Sequence, residues 1–175
     1  MRKIITSIIV LALTVCMNIS CKKNKITEFD IDYSSTLTIP SSSITVNVPA
    51  DFTTPDINTD SKNKFTSEKT VQNLVDEIKM TKFDLSVANG NLNFLKSLSV
   101  YIKTSDLGDV LIATKTSIPQ NVSSFGMDLQ DVNIKEYIFN DKIQFRVTVT
   151  IQTALAATQQ LKMDQRVHVK AKTSK

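Results

Sequence analysis

Two stretches near the C-terminal end alternate without a break. Ile143, Phe145, Val147, Val149 and Ile151 take every second position against Lys142, Gln144, Arg146, Thr148, Thr150 and Gln152. Leu161, Met163, Val167, Val169 and Ala171 do the same against Lys162, Asp164, Arg166, His168 and Lys170. Successive side chains of an extended strand point to opposite faces, so this period makes one buried face and one wet face. A helix cannot use it, because its faces repeat every 3.6 residues. The pattern predicts two long strands, read as an antiparallel pair joined near Ala154 to Thr158.

The same period recurs upstream. Phe29, Ile31 and Tyr33 alternate with Glu28, Asp30 and Asp32, and Ile44, Val46 and Val48 alternate with Thr45 and Asn47. Pro40 and Pro49 bracket the second run, which predicts an edge strand, since proline cannot donate to a central ladder. Further strands follow at Phe83, Leu85 and Val87, at Leu92, Phe94, Leu98, Val100 and Ile102 with Lys96 as an interruption, and at Val110, Ile112 and Thr114. Asn89-Gly90-Asn91 is a turn signal. About eight strands of this kind define an all-β, mainly antiparallel fold, a two-sheet β-sandwich of immunoglobulin-like or related type. A closed barrel is the alternative.

Two short helices are predicted. Val71, Leu74, Val75 and Ile78 fall at i, i+3, i+4 and i+7, with Thr66 or Ser67 as cap and Glu68 in the first turn. Ile134, Tyr137 and Ile138 share helical spacing within 131–139, with Asp131 as cap. The segment 50–64 is poor in apolar residues and rich in turn formers, and reads as a long exposed loop that offers contacts.

The N-terminal region has a different character. Arg2 and Lys3 precede the twelve-residue apolar run IITSIIVLALTV. A spanning helix needs about 20 apolar residues, so this run is too short to cross a bilayer and reads as the helical core of a signal peptide. A polar break at Asn18 leads to NISC and then to Lys22, Lys23 and Lys25.

The NISC stretch resembles the lipobox of bacterial lipoproteins, departing from it at Asn18, where leucine is commonest. The resemblance implies cleavage after Ser20 and a diacylglyceryl thioether on Cys21, usually with an acylated amine. Cys16 is the competing cysteine, but it lies inside the apolar run behind the bulkier Val15. The alternative is a secreted chain, cut near Ser20, that keeps Cys21 as an odd thiol. Two or more acyl chains hold a protein to a bilayer stably, where one does so marginally. The division that follows is 1–20 signal peptide, 21–27 lipidated tether and 28–175 a single sandwich domain. The layout loosely resembles small β-sandwich lipoproteins of Gram-negative bacteria, by pattern and not by motif residues. By family analogy, Lys22 in place of an aspartate leans to the outer membrane. The missing acidic export tag leans to its periplasmic face.

Both cysteines lie in the first 21 residues, so the body has no thiol for a disulfide, a thiolate metal site or a nucleophile. Past Cys21 the chain carries nineteen basic and seventeen acidic side chains, too even a balance to imply nucleic-acid binding. His168, the single histidine, alternates outward and reads as a surface strand residue. Asp56, Asn58 and Asp60 match positions one, three and five of a calcium loop, but Ser61 stands where glycine is needed and Ser67 where glutamate is needed. They are a weak calcium candidate beside the plainer reading of a polar loop. Asp106 with Asp109 and Asp128 with Asp131 read as turn and capping residues. No cofactor is implied. The expectation is a non-enzymatic, lipid-anchored envelope protein that acts as a binding or assembly module toward an unidentified protein partner. The alternatives are a carrier of an apolar ligand between the sheets and a carboxylate-based hydrolase.

Overall fold

A computed structural model describes residues 25–174. Ten strands form in chain order: β1 (Ile26–Ile39), β2 (Ala50–Thr53), β3 (Ile57–Asn58), β4 (Val75–Val87), β5 (Leu95–Lys103), β6 (Val110–Lys115), β7 (Ser124–Gly126), β8 (Asp128–Leu129), β9 (Lys142–Ile151) and β10 (Gln159–Lys172). Helices α1 (Ser61–Ser67) and α2 (Lys135–Ile138) interrupt them. One sheet has the order β1-β10-β4-β7, and the other β2-β9-β5-β6-β8 with β3 also pairing β9. Every pairing is antiparallel.

The pairings nest. β5 pairs β6, β4 pairs β7, β2 and β3 pair β9, and β1 pairs β10, as in one long hairpin folded back on itself. Rolling that hairpin up adds the contacts β10 to β4 and β9 to β5. This winding is a jelly roll. The fold is therefore the two-sheet sandwich of the sequence reading, wired as a jelly roll rather than in the immunoglobulin order.

The wiring corrects the expected terminal pair. β9 and β10 do not hydrogen-bond to each other; residues 152–158 carry the chain from one sheet to the other. Each strand is central in its own sheet, so both alternating faces are buried against one another. Phe145, Val147, Val149 and Ile151 of β9 and Leu161, Met163, Val167 and Val169 of β10 have no exposed surface. Phe83 of β4 meets Phe145 edge-on across the sandwich, ring centroids 5.6 Å apart.

The predicted helix at 71–78 is a single 3-10 turn at Gln72–Leu74 followed by a strand. Val75 opens β4, and the three-residue spacings Val75 to Ile78 and Met80 to Phe83 come from β-bulges. At each bulge the partner strand skips one residue, Asp76 opposite Lys170/Ala171 and Thr81 opposite Arg166/Val167. A bulge inserts one residue, and two becomes three, which imitates a helical stripe. Lys96, the interruption in β5, is a bulge residue too: Leu95 pairs Ile151 and Ser97 pairs Thr150.

The expected edge strand at Ile44–Val48 is also displaced. After a 3-10 turn at Ser41–Ser43 the chain turns again at Asn47, whose φ is 60°, and the strand begins only at Ala50, beyond Pro49. The region 50–64 is therefore not a loop. It runs as β2 and β3 along the edge of β9, then enters α1. Pro55 breaks this edge, and the Thr54 hydroxyl repairs it by accepting the Phe145 N–H at 3.0 Å, where the proline offers no ladder. Thr54, Thr59 and Ser61 are buried because their hydroxyls satisfy backbone groups or sit at turns; Thr59 donates to the Asn140 carbonyl at 2.6 Å. The second helix is shorter than predicted, and Asn133, not Asp131, satisfies its entry: its side-chain oxygen accepts from Ile78 and Lys135 N–H.

Both helices close the same end of the roll. Phe65 of α1 is 2% exposed and packs edge-on against Phe29 and Phe139. Lys25 already belongs to the body: its carbonyl accepts the Thr173 N–H at 2.8 Å, so the sheet starts two residues before the expected boundary at 28. The loops 40–49, 88–94, 116–123 and 152–158 form the opposite end.

Phe145→Ala removes a ring at the centre of the core and is expected to lower stability by about 3–5 kcal/mol. Thr54→Val, nearly isosteric, orphans the Phe145 N–H and is expected to lower it by about 1–3 kcal/mol. Urea denaturation of both variants against wild type checks these values.

Candidate functional site

One flank of the sandwich lies between β1 and the β2–β3 edge. β1 pairs β10 along its whole length on one side and has no ladder on the other, and β2 and β3 lie beside it at the edge of the second sheet. The two edges bound a groove of about 540 Å³, lined by Tyr33, Ser35, Pro55, Asp56, Ile57 and Asn58 among others. It exists because Pro55 interrupts the strand there and because residue 35 is a serine in an otherwise apolar inward row.

The groove floor is polar. Tyr33 points inward and donates to the Thr59 carbonyl at 3.2 Å. Burial, with the Asp60 charge, pushes its phenol far above the ordinary value, so it remains a neutral donor. Behind Ser35 lies Gln165, 2% exposed, whose amide nitrogen donates to the Ser35 hydroxyl at 3.3 Å. Its Oε1 has no partner among the described residues.

The outer face of the β1–β10 sheet carries matched columns of charge. Asp32 takes a two-pronged bond from Arg166 at 2.7 and 3.0 Å. That bond holds the Asp32 carboxyl below the usual carboxylate range. His168 has a partner that its position in sequence did not reveal: Nδ1 sits 2.8 Å from Asp30 Oδ1, and Nε2 lies 3.8 Å from Glu28. The ring is half-exposed on an open sheet face, so it has an orienting carboxylate but no enclosing pocket for general-base work. On the other sheet Arg146 lies 4.0 Å over the Tyr101 ring and bonds Asp109, Asp51 and Thr148. The Asp109 bond, chiefly, raises the Arg146 pKa.

The acidic candidates do not converge. Asp56 is 3.1 Å from Lys142, and Asp60, at φ 49°, accepts from Asn63 at 2.5 Å. Asn58 pairs with Lys142 in β3. Among the described residues no three acidic, histidine or cysteine side chains gather where they could hold a metal ion. Asp109 faces Arg146, Asp128 faces Lys115 and Asp131 faces Lys79, so each of these carboxylates meets a cation rather than a second carboxylate. Asp106 takes a turn position beside Thr104, whose hydroxyl accepts its N–H at 3.3 Å. Ser20 and Cys21 lie outside the described residues. No described helix is long and apolar enough to cross a membrane.

Sequence reasoning missed the loop network at the helix-free end. Asn93 and Asn121 clasp each other across two loops at 3.0 and 2.6 Å, Gln152 donates to the Asn93 carbonyl at 2.6 Å, and Lys96 reaches Asn47 at 2.8 Å. The asparagines at every second position from 89 to 93 were the available signal.

No protein-family model matches the chain, and no curated protein matches it in sequence. Among solved structures it is similar to a turnip yellow mosaic virus structure at 9% identity, covering 86% of this chain and 98% of that one, with TM-score 0.30. A cyanophage Pam1 capsid asymmetric unit gives 11% identity, 90% and 94% coverage and TM-score 0.35. A cocksfoot mottle virus structure gives 7%, 90% and 92%, and 0.33. Likeness of this degree carries nothing about what this chain binds; the jelly-roll wiring stands on the strand pairings themselves.

Gln165→Leu removes a buried, unpartnered oxygen and is expected to raise stability by about 1 kcal/mol, read as a higher urea midpoint. For Asp32, whose folded pKa is depressed, the stabilisation from Arg166 is present above the unfolded carboxylate pKa of about 3.9 and fades as pH falls through the folded value. Carboxyl NMR titration is expected to show the Asp32 midpoint rising toward the ordinary value in Arg166→Gln.

Proposed function

We propose that this chain is a lipid-anchored, non-enzymatic protein of the bacterial cell envelope, a jelly-roll module held at the outer membrane, on its periplasmic face, through Cys21. The observation that carries the reading is the short distance from the lipobox-like cysteine to folded structure. Lys25 is bonded to Thr173, so four residue steps, a reach of at most about 14 Å, separate Cys21 from the body. A module on so short a leash stays beside the bilayer and works by contact.

The contact surface we assign is the flank groove. It offers the unladdered edge of β1 and a polar floor at Tyr33 and Ser35, which suits an extended partner segment added strand-to-strand. The apolar-carrier reading has less support, because the inner faces of both central strands are packed solid and the grooves are open and mixed in polarity. The hydrolase reading has less as well, since Asp109, Asp128 and Asp131 each meet a lysine or arginine and Asp106 takes a turn position.

Mass spectrometry of the mature protein is expected to find acyl mass on an N-terminal Cys21. Cys21→Ser should lose that mass and move to the soluble fraction; an unacylated wild type would sink the anchored reading. A photocrosslinker at Ser35 should capture a defined partner that one at Thr150, on the opposite sheet's outer face, does not.

A further inference from the structure

We infer that the helix-closed end of the roll is itself a bilayer-docking face, made for an anionic lipid surface, so that the body lies against the membrane rather than swinging from its tether. This deepens the anchored reading and rests on it.

Among the described residues three large apolar side chains are conspicuously exposed: Ile26 at 61%, Val71 at 43% and Val48 at 51%. Two of them share the end where the described chain begins. Ile26 pairs with Lys172 at the last rung of the β1–β10 ladder. Val71 follows Thr70, whose hydroxyl donates to the Lys172 carbonyl at 2.6 Å. Ser174 closes the same patch by donating its N–H to the Lys69 carbonyl at 2.7 Å. Hydrogen bonds therefore hold the backbone at Lys25, Lys69, Thr70 and Lys172 together beside Ile26 and Val71.

The charges around this patch favour an anionic partner. Lys25 and Lys69 are exposed and form no ion pair among the described residues. Lys172 is 3.4 Å from Asp76; Glu28, next to Ile26 on the exposed face of β1 and 4.0 Å from Lys170, and Glu68 are further carboxylates of this end. The sequence adds Lys22 and Lys23 just upstream. Apolar side chains ringed by lysines are what a headgroup layer accepts: the chains enter the interface and the ammonium groups remain among the phosphates. The occupant is also set by Cys21, since a lipid there brings the bilayer within five residues of Ile26. A docked body would turn the loops 40–49, 88–94, 116–123 and 152–158 away from the membrane and leave the flank groove standing upright along its side.

The chain contains no tryptophan, so one introduced residue reports its own surroundings. Full-length lipidated Ile26→Trp, Val71→Trp and, as the far-end control, Val48→Trp are reconstituted into vesicles of phosphatidylglycerol and phosphatidylcholine carrying brominated acyl chains. Ile26→Trp and Val71→Trp are expected to shift to the blue and lose more than half of their emission, while Val48→Trp is unchanged. Adding Lys25→Glu and Lys69→Glu to Ile26→Trp should reverse most of that quenching. Should acyl mass be present and all three tryptophans emit alike, docking is overturned and anchoring stands. Should the wild type carry no acyl mass, both fall together.

Discussion

The burial of β9 against β10 is the constraint on which the rest of the structure depends. Each strand is central in its sheet, and each turns a row of apolar side chains toward the other with almost no exposed surface. Every second residue of both rows removes apolar area from water, each full side chain contributing about 1.5–3 kcal/mol. Once these two faces meet, the neighbouring strands have places: β1 and β4 beside β10, β2 and β5 beside β9. Two of the four sheet edges, β1 and the broken β2–β3, fall on one flank, and the groove between them is a consequence of that placement.

The polar exterior works through register more than through energy. Exposed ion pairs contribute about 0–1 kcal/mol each. Their value here is that Asp30 stands opposite His168 and Asp32 opposite Arg166. A slip of one residue along β10 would turn this whole row inward and expose Ile31 and Tyr33. The charged columns and the apolar rows thus select the same alignment. The two ends of the roll differ in kind: one is capped by helices and receives the chain at Lys25, and the other is a set of loops clasped by amide side chains.

Much of the architecture was legible because strand alternation is local. The rows at 143–151, 161–171 and 29–33 read directly, and so did the scarcity of helix. The misreadings share one cause. Val75 to Ile78 looked helical because Asp76 is an inserted residue, and a bulge is visible only against the strand it faces. The segment 50–64 looked like a loop because residues such as Thr54 and Thr59 are polar; their hydroxyls are buried only where the Phe145 N–H and the Asn140 carbonyl wait for them. The partner of His168 lies 138 residues away at Asp30, and no local pattern could announce it.

By itself, the sequence determined that this chain makes long two-faced strands, that its body has no thiol, and that a lipobox-like cysteine stands just before the first of those strands. Tertiary structure alone decided that β9 and β10 face each other across a core instead of pairing, that the winding is a jelly roll, and that a groove opens beside β1. The division is physical. Which way a side chain points depends on its own backbone, but which strand receives a hydrogen bond depends on distant segments competing for the same edge, and only the folded chain resolves that competition.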